Sequence, residues 1–259
     1  MASGARRVFV HYHLFKNAGT SLDRWLRVQF GDGWHAHEGD RSLWPADHVM
    51  SYLRLNPEVK LLSSHTALLA PSGWVAAADL EIMPIVFLRH PIDRARSVYE
   101  FELHQQADTE GASQAKALSI RAYFEWRLSR SGDRTVRNFQ SHRLRFAGMA
   151  GADELALALD ALQRLPFVGL VESFEASLQR LARLLPAQAF VPPPPARLNR
   201  TQVAGSDLPQ RLAELRSALG DALFARLVEA NRSDLLLHTQ LRQSLAESAR
   251  PGRDTPQGD

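Results

Sequence analysis

The segment HLFKNAGTSL, residues 13–22, places one lysine, one glycine and a Thr-Ser pair directly after an apolar run. Where such a loop enters a helix, the first amides of the helix lack internal partners and carry a partial positive charge, so a phosphate group binds there readily. Gly19 lets the backbone approach an anion closely, Thr20 and Ser21 add hydroxyl donors, and Asn17 and Ala18 complete the loop. Lys16 precedes the glycine, whereas the lysine of the nucleotide-triphosphate loop follows it. A lysine on the rim reaches a group that hangs off the phosphate away from the backbone amides. A second anion-directed pair lies in FLRHPIDRARSVYEF (87–101). Arg89 offers a planar charged fork, Ser97 a hydroxyl two helical turns on, and both can face one anion.

The elements that must position these groups are legible in the pattern. RRVFVHY (6–12) reads as a buried strand, and AGTSLDRWLRVQF (18–30) carries Leu22, Trp25, Leu26 and Phe30 at helical spacing. GDGWHAHEGDR (31–41) reads as a polar loop, and Pro45 starts a short helix over 45–55. EVKLLSSH (58–65) and MPIVFLRHP (83–91) read as further strands, with Pro91 opening a helix through Ile92, Ala95, Val98 and Tyr99. HQQADTEGASQAK (104–116) reads as a mobile loop, and 117–130 and 152–165 as amphipathic helices. Residues 165–185 form a strand-to-helix unit with Glu172 or Ser173 as its cap. VPPPPARLNRTQ (191–202) is an extended connector, 207–247 is helical in pattern, and 249–259 is expected to be a disordered tail. Strands alternating with helices predict an α/β fold: P-loop-like, three-layered α/β/α, with a mainly parallel central sheet and a helical C-terminal part. One domain over 1–248 is expected.

Composition narrows the function. The 259 residues, 45% hydrophobic, suffice for one substantial core. A formal charge of +3, from 31 Lys+Arg against 28 Asp+Glu, permits an anionic ligand without demanding nucleic acid. The basic residues are dispersed among acids and the aromatics form no recognition motif, so no nucleic-acid partner is expected. The absence of cysteine excludes disulfides, thiolate metal sites and a cysteine nucleophile. His35 and His37 have no third ligand nearby in sequence and there is no D-x-D, so no metal is expected. No apolar run reaches transmembrane length and the N-terminus has too short an apolar stretch for a secretory signal, which predicts a soluble cytoplasmic protein.

HLFKNAGTSL resembles the H-x-P-K-[TS]-[GA]-G-T-S-[LF] loop of carbohydrate sulfotransferases, especially the heparan 2-O-sulfotransferase-like branch, with Phe15 in place of the usual proline. RHPIDRARS (89–97) is similar to that family's R-[DN]-P-x-x-R-x-x-S, with His90 replacing Asp or Asn. FVGLVESFEASL (167–178), NFQSHRL (138–144, with His142 where arginine is usual) and the short LNRTQ (198–202) extend the similarity over residues 8 to about 205. The resemblance implies a soluble, bacterial-type member that uses 3′-phosphoadenosine 5′-phosphosulfate without a metal. It places Lys16 on the phosphosulfate and Arg89 and Ser97 on the 3′-phosphate. Asn199 and Thr201 fall in a late loop that closes over the nucleotide.

Sulfuryl transfer needs in-line positioning and charge stabilisation on the leaving oxygen, the role assigned to Lys16. A general base must take the acceptor proton, and ten histidines compete. His65 ends the strand KLLSSH, where ligands gather in open parallel sheets, and the enzymes resembled carry a catalytic histidine after this strand. His13 flanks the loop and shapes it, and His142 is a candidate for the acceptor pocket. The expected acceptor is a hydroxyl of a glycan, glycolipid or small metabolite. It would be bound by loops 31–44, 66–74 and 104–116, where Trp34, Trp44 and Trp74 offer ring faces for a sugar. Two alternatives stay open: a P-loop-type kinase, although the G-K-[ST] order and an acidic metal ligand are missing, and a non-catalytic nucleotide- or glycan-binding protein.

Overall fold

The computed structural model describes residues 5–39, 43–69, 79–185 and 207–248. Its centre is a five-stranded sheet of β1 (Arg6–Tyr12), β2 (Trp34–Ala36), β3 (Leu61–Ser64), β4 (Leu80–Leu88) and β5 (Val168–Leu170), in the order β2-β3-β1-β4-β5. Every pairing is parallel. Parallel strands need crossovers, and the crossover helices cover both faces, which is why β1 and β4 are buried over most of their length.

The alternation of side chains along each strand assigns the layers. Val8, Val10 and Tyr12 of β1, with Ile82, Val86 and Leu88 of β4, join the apolar cluster of α2 (Ala46–Leu55), α6 (Phe139–Leu144), α7 (Glu154–Arg164) and α11 (Arg232–Ser248). Phe9, Ile85 and Phe87 point the other way, against Leu22, Trp25 and Leu26 of α1 (Gly19–Phe30) and Leu178 and Leu181 of α8 (Phe174–Ala182). The result is the three-layer α/β/α arrangement. A third cluster joins α3 (Pro91–His104), α4 (Glu110–Ala117), α5 (Ile120–Ser129), α9 (Leu208–Leu219) and α10 (Asp221–Ala230).

The structure departs from the sequence pattern in four places. Residues 34–36, inside the expected polar loop, are the edge strand β2, paired with β3. The expected loop 104–116 becomes helix α4 from Glu110, because Thr109 caps it by accepting the Ala112 amide at 3.2 Å. Its small residues Gly111, Ala112 and Ala115 are buried, and a Cβ on Gly111 would run into Glu102 and Arg127. Close packing requires the composition that reads as a loop. Strand β4 begins at Leu80, earlier than its apolar run suggests. Ser173 stands at the start of α8 but makes no capping bond, and Glu172 accepts the His90 amide instead. Asn199, Thr201, Trp74, the proline connector and the tail lie outside the described residues. No helix among the described residues is long and apolar enough to cross a membrane.

Candidate functional site

Because the sheet is parallel, the chain leaves β1, β3 and β4 at one edge, and Lys16, His65 and Arg89 follow those strand ends. A cavity of about 150 Å³ lies there. Lys16, Ala18, Gly19, Thr20, His65, Arg89 and Ser97 line it, joined by His13, Phe15 and Phe101. Sequence positions up to 88 residues apart, His13 and Phe101, are thus brought to one space. Asn17 and Ser21 stand behind it, both buried. The Asn17 amide donates to the Phe87 carbonyl at 2.7 Å and to Gln140 Oε1 at 2.8 Å, so this side chain ties the loop to β4 and α6.

The loop holds an unusual backbone. Lys16 (φ 64°) and Ala18 (φ 61°) are left-handed, a conformation shared among described non-glycine residues only with Asn138. It is costly for any residue with a Cβ and persists where surrounding contacts impose it. Arg89 donates to the Lys16 carbonyl at 3.1 Å, and Asn17 anchors the next residue. Ala18 begins α1 without a side-chain cap. The first helical residues, Gly19 and Thr20, therefore bring uncapped amides to the cavity wall. Gly19 serves a purpose that the loop motif alone does not show: a Cβ there would overlap the His13 ring, which occupies the space.

Two cations face the cavity. Lys16 Nζ lies 4.6 Å from the Phe101 ring centroid. Burial lowers the Lys16 pKa and the positive Arg89 adds to this, against an opposing pull from Glu100. Arg89 is gripped by Asp93, through Nε at 2.8 Å and Nη2 at 2.7 Å. Its Nη1 donates to the Lys16 carbonyl at 3.1 Å, and the guanidinium still lines the cavity. Asp93 also accepts Arg211 Nε at 2.7 Å. Burial alone would raise the Asp93 pKa, but Arg89 and Arg211 outweigh it and hold the carboxyl below its ordinary value. The spacing Arg89–Asp93 was a local signal for this grip, whereas Arg211 comes from a helix far along the chain and gave none.

Opposite them, His65 is half-exposed and its Nδ1 lies 2.8 Å from Glu38 Oε1. Glu38 also accepts the amides of His65 and Thr66 at 2.9 Å and the hydroxyls of Ser64 and Thr66 at 2.9 Å. Burial would raise the Glu38 pKa, but these donors prevail and hold it at about 2. The His13 ring stacks on His65 with centroids 3.8 Å apart. His11 lies behind His13 at 5.1 Å, its ring tilted by only 21°.

Asp23 serves the inner pair. Its Oδ1 lies 2.7 Å from His11 Nδ1, and its Oδ2 is 3.2 Å from His13 Nδ1 but outside hydrogen-bonding geometry. Burial pushes the Asp23 pKa up, yet His11 and His13 hold it far below the carboxylate range. Burial lowers that of His13, against Asp23. The ligand-type atoms of His11, His13 and Asp23 fall within 4.8 Å of one another. In this structure the two imidazoles stack beside a carboxylate that hydrogen-bonds His11.

The remaining candidates lie elsewhere. His142 is bound to Glu154 at 3.0 Å and does not line the cavity. Trp44 is buried, and the Trp34 ring is covered by the Arg27 guanidinium at 3.9 Å, so neither presents an open face to a sugar.

No family model matches the chain. A protein of Archaeoglobus fulgidus described as uncharacterized is 35% identical over 246 residues, which takes in 90% of this chain and 94% of that one. The chain belongs to the same family as that archaeal protein.

Proposed function

We propose that this protein is a sulfotransferase that uses 3′-phosphoadenosine 5′-phosphosulfate as donor and a hydroxyl compound, a glycan, glycolipid or small metabolite, as acceptor, and that it works in the cytoplasm. The observation that carries the reading is the convergence on one cavity of Lys16, Arg89, Ser97 and the uncapped start of α1, with His65 lining the same cavity from the opposite side. Cations, a hydroxyl and helix amides suit a ligand with two anionic ends. At Lys16, Gly19, Thr20, Ser21, Arg89 and Ser97 they correspond to both motifs of the carbohydrate sulfotransferases, from which the chain departs at Phe15 and His90.

In the reaction the acceptor oxygen bonds to sulfur, the bond from sulfur to the 5′-phosphate oxygen breaks, and the acceptor proton passes to His65. Lys16 stabilises the charge that collects on the leaving phosphate oxygen. Arg89, steadied by Asp93, and Ser97 anchor the far phosphate and set the register. His65 Nε2 accepts the proton, because its Nδ1 faces Glu38.

Calorimetric titration with 3′,5′-bisphosphoadenosine, beside ATP, tests the reading on wild type, Lys16→Ala and Arg89→Ala. Selective binding of the bisphosphate is expected, weakened by roughly 10–100-fold in each variant, as for the loss of a hydrogen bond to a charged group. A preference for ATP would move the assignment to a kinase, and no binding of either would overturn the nucleotide site.

A further inference from the structure

The contacts of Glu38 reach beyond the reading above and, where they concern turnover, rest on it. Both carboxylate oxygens are directed at one short segment. Glu38 accepts from the Ser64 hydroxyl, the His65 amide, the His65 ring, the Thr66 amide and the Thr66 hydroxyl, all between 2.8 and 3.0 Å. So many donors on one anion leave little basicity for proton abstraction, and the carboxylate is too well satisfied to be the base itself. It is placed instead to decide which nitrogen of His65 carries the proton. A carboxylate can only accept, so neutral His65 beside it must hold its hydrogen on Nδ1, and Nε2 keeps its lone pair. His13 stacks on the opposite surface of the problem: its ring covers one face of His65 at 3.8 Å, so the imidazole can neither tip nor rotate freely.

We infer that Glu38 is the positioning residue of this site: it fixes His65 as the Nδ1–H tautomer, with Nε2 free to take the acceptor proton, while the stacked His13 ring holds the plane. Nothing in the sequence around Glu38, which sits in a polar stretch after β2, marks it for this role. The edge strand β2, through its register with β3, delivers Glu38 to the end of β3.

Long-range proton–nitrogen NMR of the histidine rings in the full chain, with the His65 signals assigned by their loss in His65→Ala, reads the tautomer directly. Neutral His65 in the wild type should carry its proton on Nδ1. Glu38→Gln, which keeps the shape of the side chain but presents an amide, should shift the population toward the Nε2–H form. A wild-type His65 protonated on Nε2, or a tautomer unchanged in Glu38→Gln, would overturn the inference. A second readout is release of bisphosphoadenosine from the phosphosulfate donor in water. There Glu38→Gln should lower turnover by roughly 10–100-fold, the usual cost of losing an orienting partner, and leave bisphosphoadenosine affinity unchanged. Equal losses in turnover and affinity would mark Glu38 as merely structural. Should the wild type neither bind nor release bisphosphoadenosine, the sulfotransferase reading fails while the tautomer measurement still decides the role of Glu38.

Discussion

On one side of the cavity, Lys16, Arg89 and Ser97 stand on segments that leave β1 and β4, two adjacent central strands. On the other, His65 depends on Glu38, which arrives from a three-residue edge strand. The anion side stores its geometry in the backbone: two left-handed residues and a helix start without a cap. The base side stores its geometry in hydrogen bonds to one carboxylate. Strained backbone is set by the packing beneath it and gives a rigid cradle, whereas a hydrogen-bonded imidazole keeps a lone pair available for a proton. Under the proposed sulfotransferase reading, binding and proton transfer make these different demands, and the two halves should respond differently when perturbed.

The largest separation is expected from His65→Ala. Turnover should fall by roughly 10²–10⁴ while bisphosphoadenosine affinity in calorimetry stays near wild type. A comparable loss of affinity would mean that the halves are not distinct. Next comes the pH dependence of stability. Burial, with the charges of His238 and Arg242, lowers the His90 pKa to about 4, despite Glu172 and Asp93. The unfolded chain therefore binds this proton first as the pH drops. The stability His90 contributes is complete above about pH 6.5 and is lost as the pH falls toward 4. Urea unfolding at pH 7.5 and 4.5 should show a difference that shrinks by about 2–3 kcal/mol in His90→Asn.

Gly19→Ala should cost about 2 kcal/mol in the same assay, because the new methyl meets the buried His13 ring. An unaffected midpoint would show that His13 yields easily and does not bind the two halves together. The smallest change is a gain. Ala18→Gly relieves a left-handed residue of its Cβ but adds freedom to the unfolded chain. A net stabilisation of about 0.5–1 kcal/mol is expected at the denaturation midpoint.

The anion side was legible because each of its parts is local: strand, loop and helix follow within residues 6–30, and Arg89 and Ser97 share one strand–helix unit. The identity of Glu38 was not. Its partner lies 27 residues away, and WHAHEG has the composition of a loop even though parallel pairing with β3 makes its first part a strand. Helix α4 was hidden for a related reason, since Gly111 promises flexibility in isolation and is small because of the Glu102 and Arg127 side chains it packs against. The support of α6 was beyond any local reading: Asp234, buried in α11, accepts the Gln140 and Ser141 amides at 2.9 and 2.7 Å, and Gln140 in turn holds Asn17 and Arg89. Long-range polar contacts leave no period in a sequence.

The His13 ring that fills the space of a Gly19 side chain also lies flat on His65. Positions 13, 19 and 65 therefore share one volume. A larger residue at 19 demands a smaller one at 13, and a smaller one at 13 uncovers the face of His65. Among descendants of this chain the three positions can drift only in concert, and a laboratory library that randomises any one of them alone will sample mostly failures.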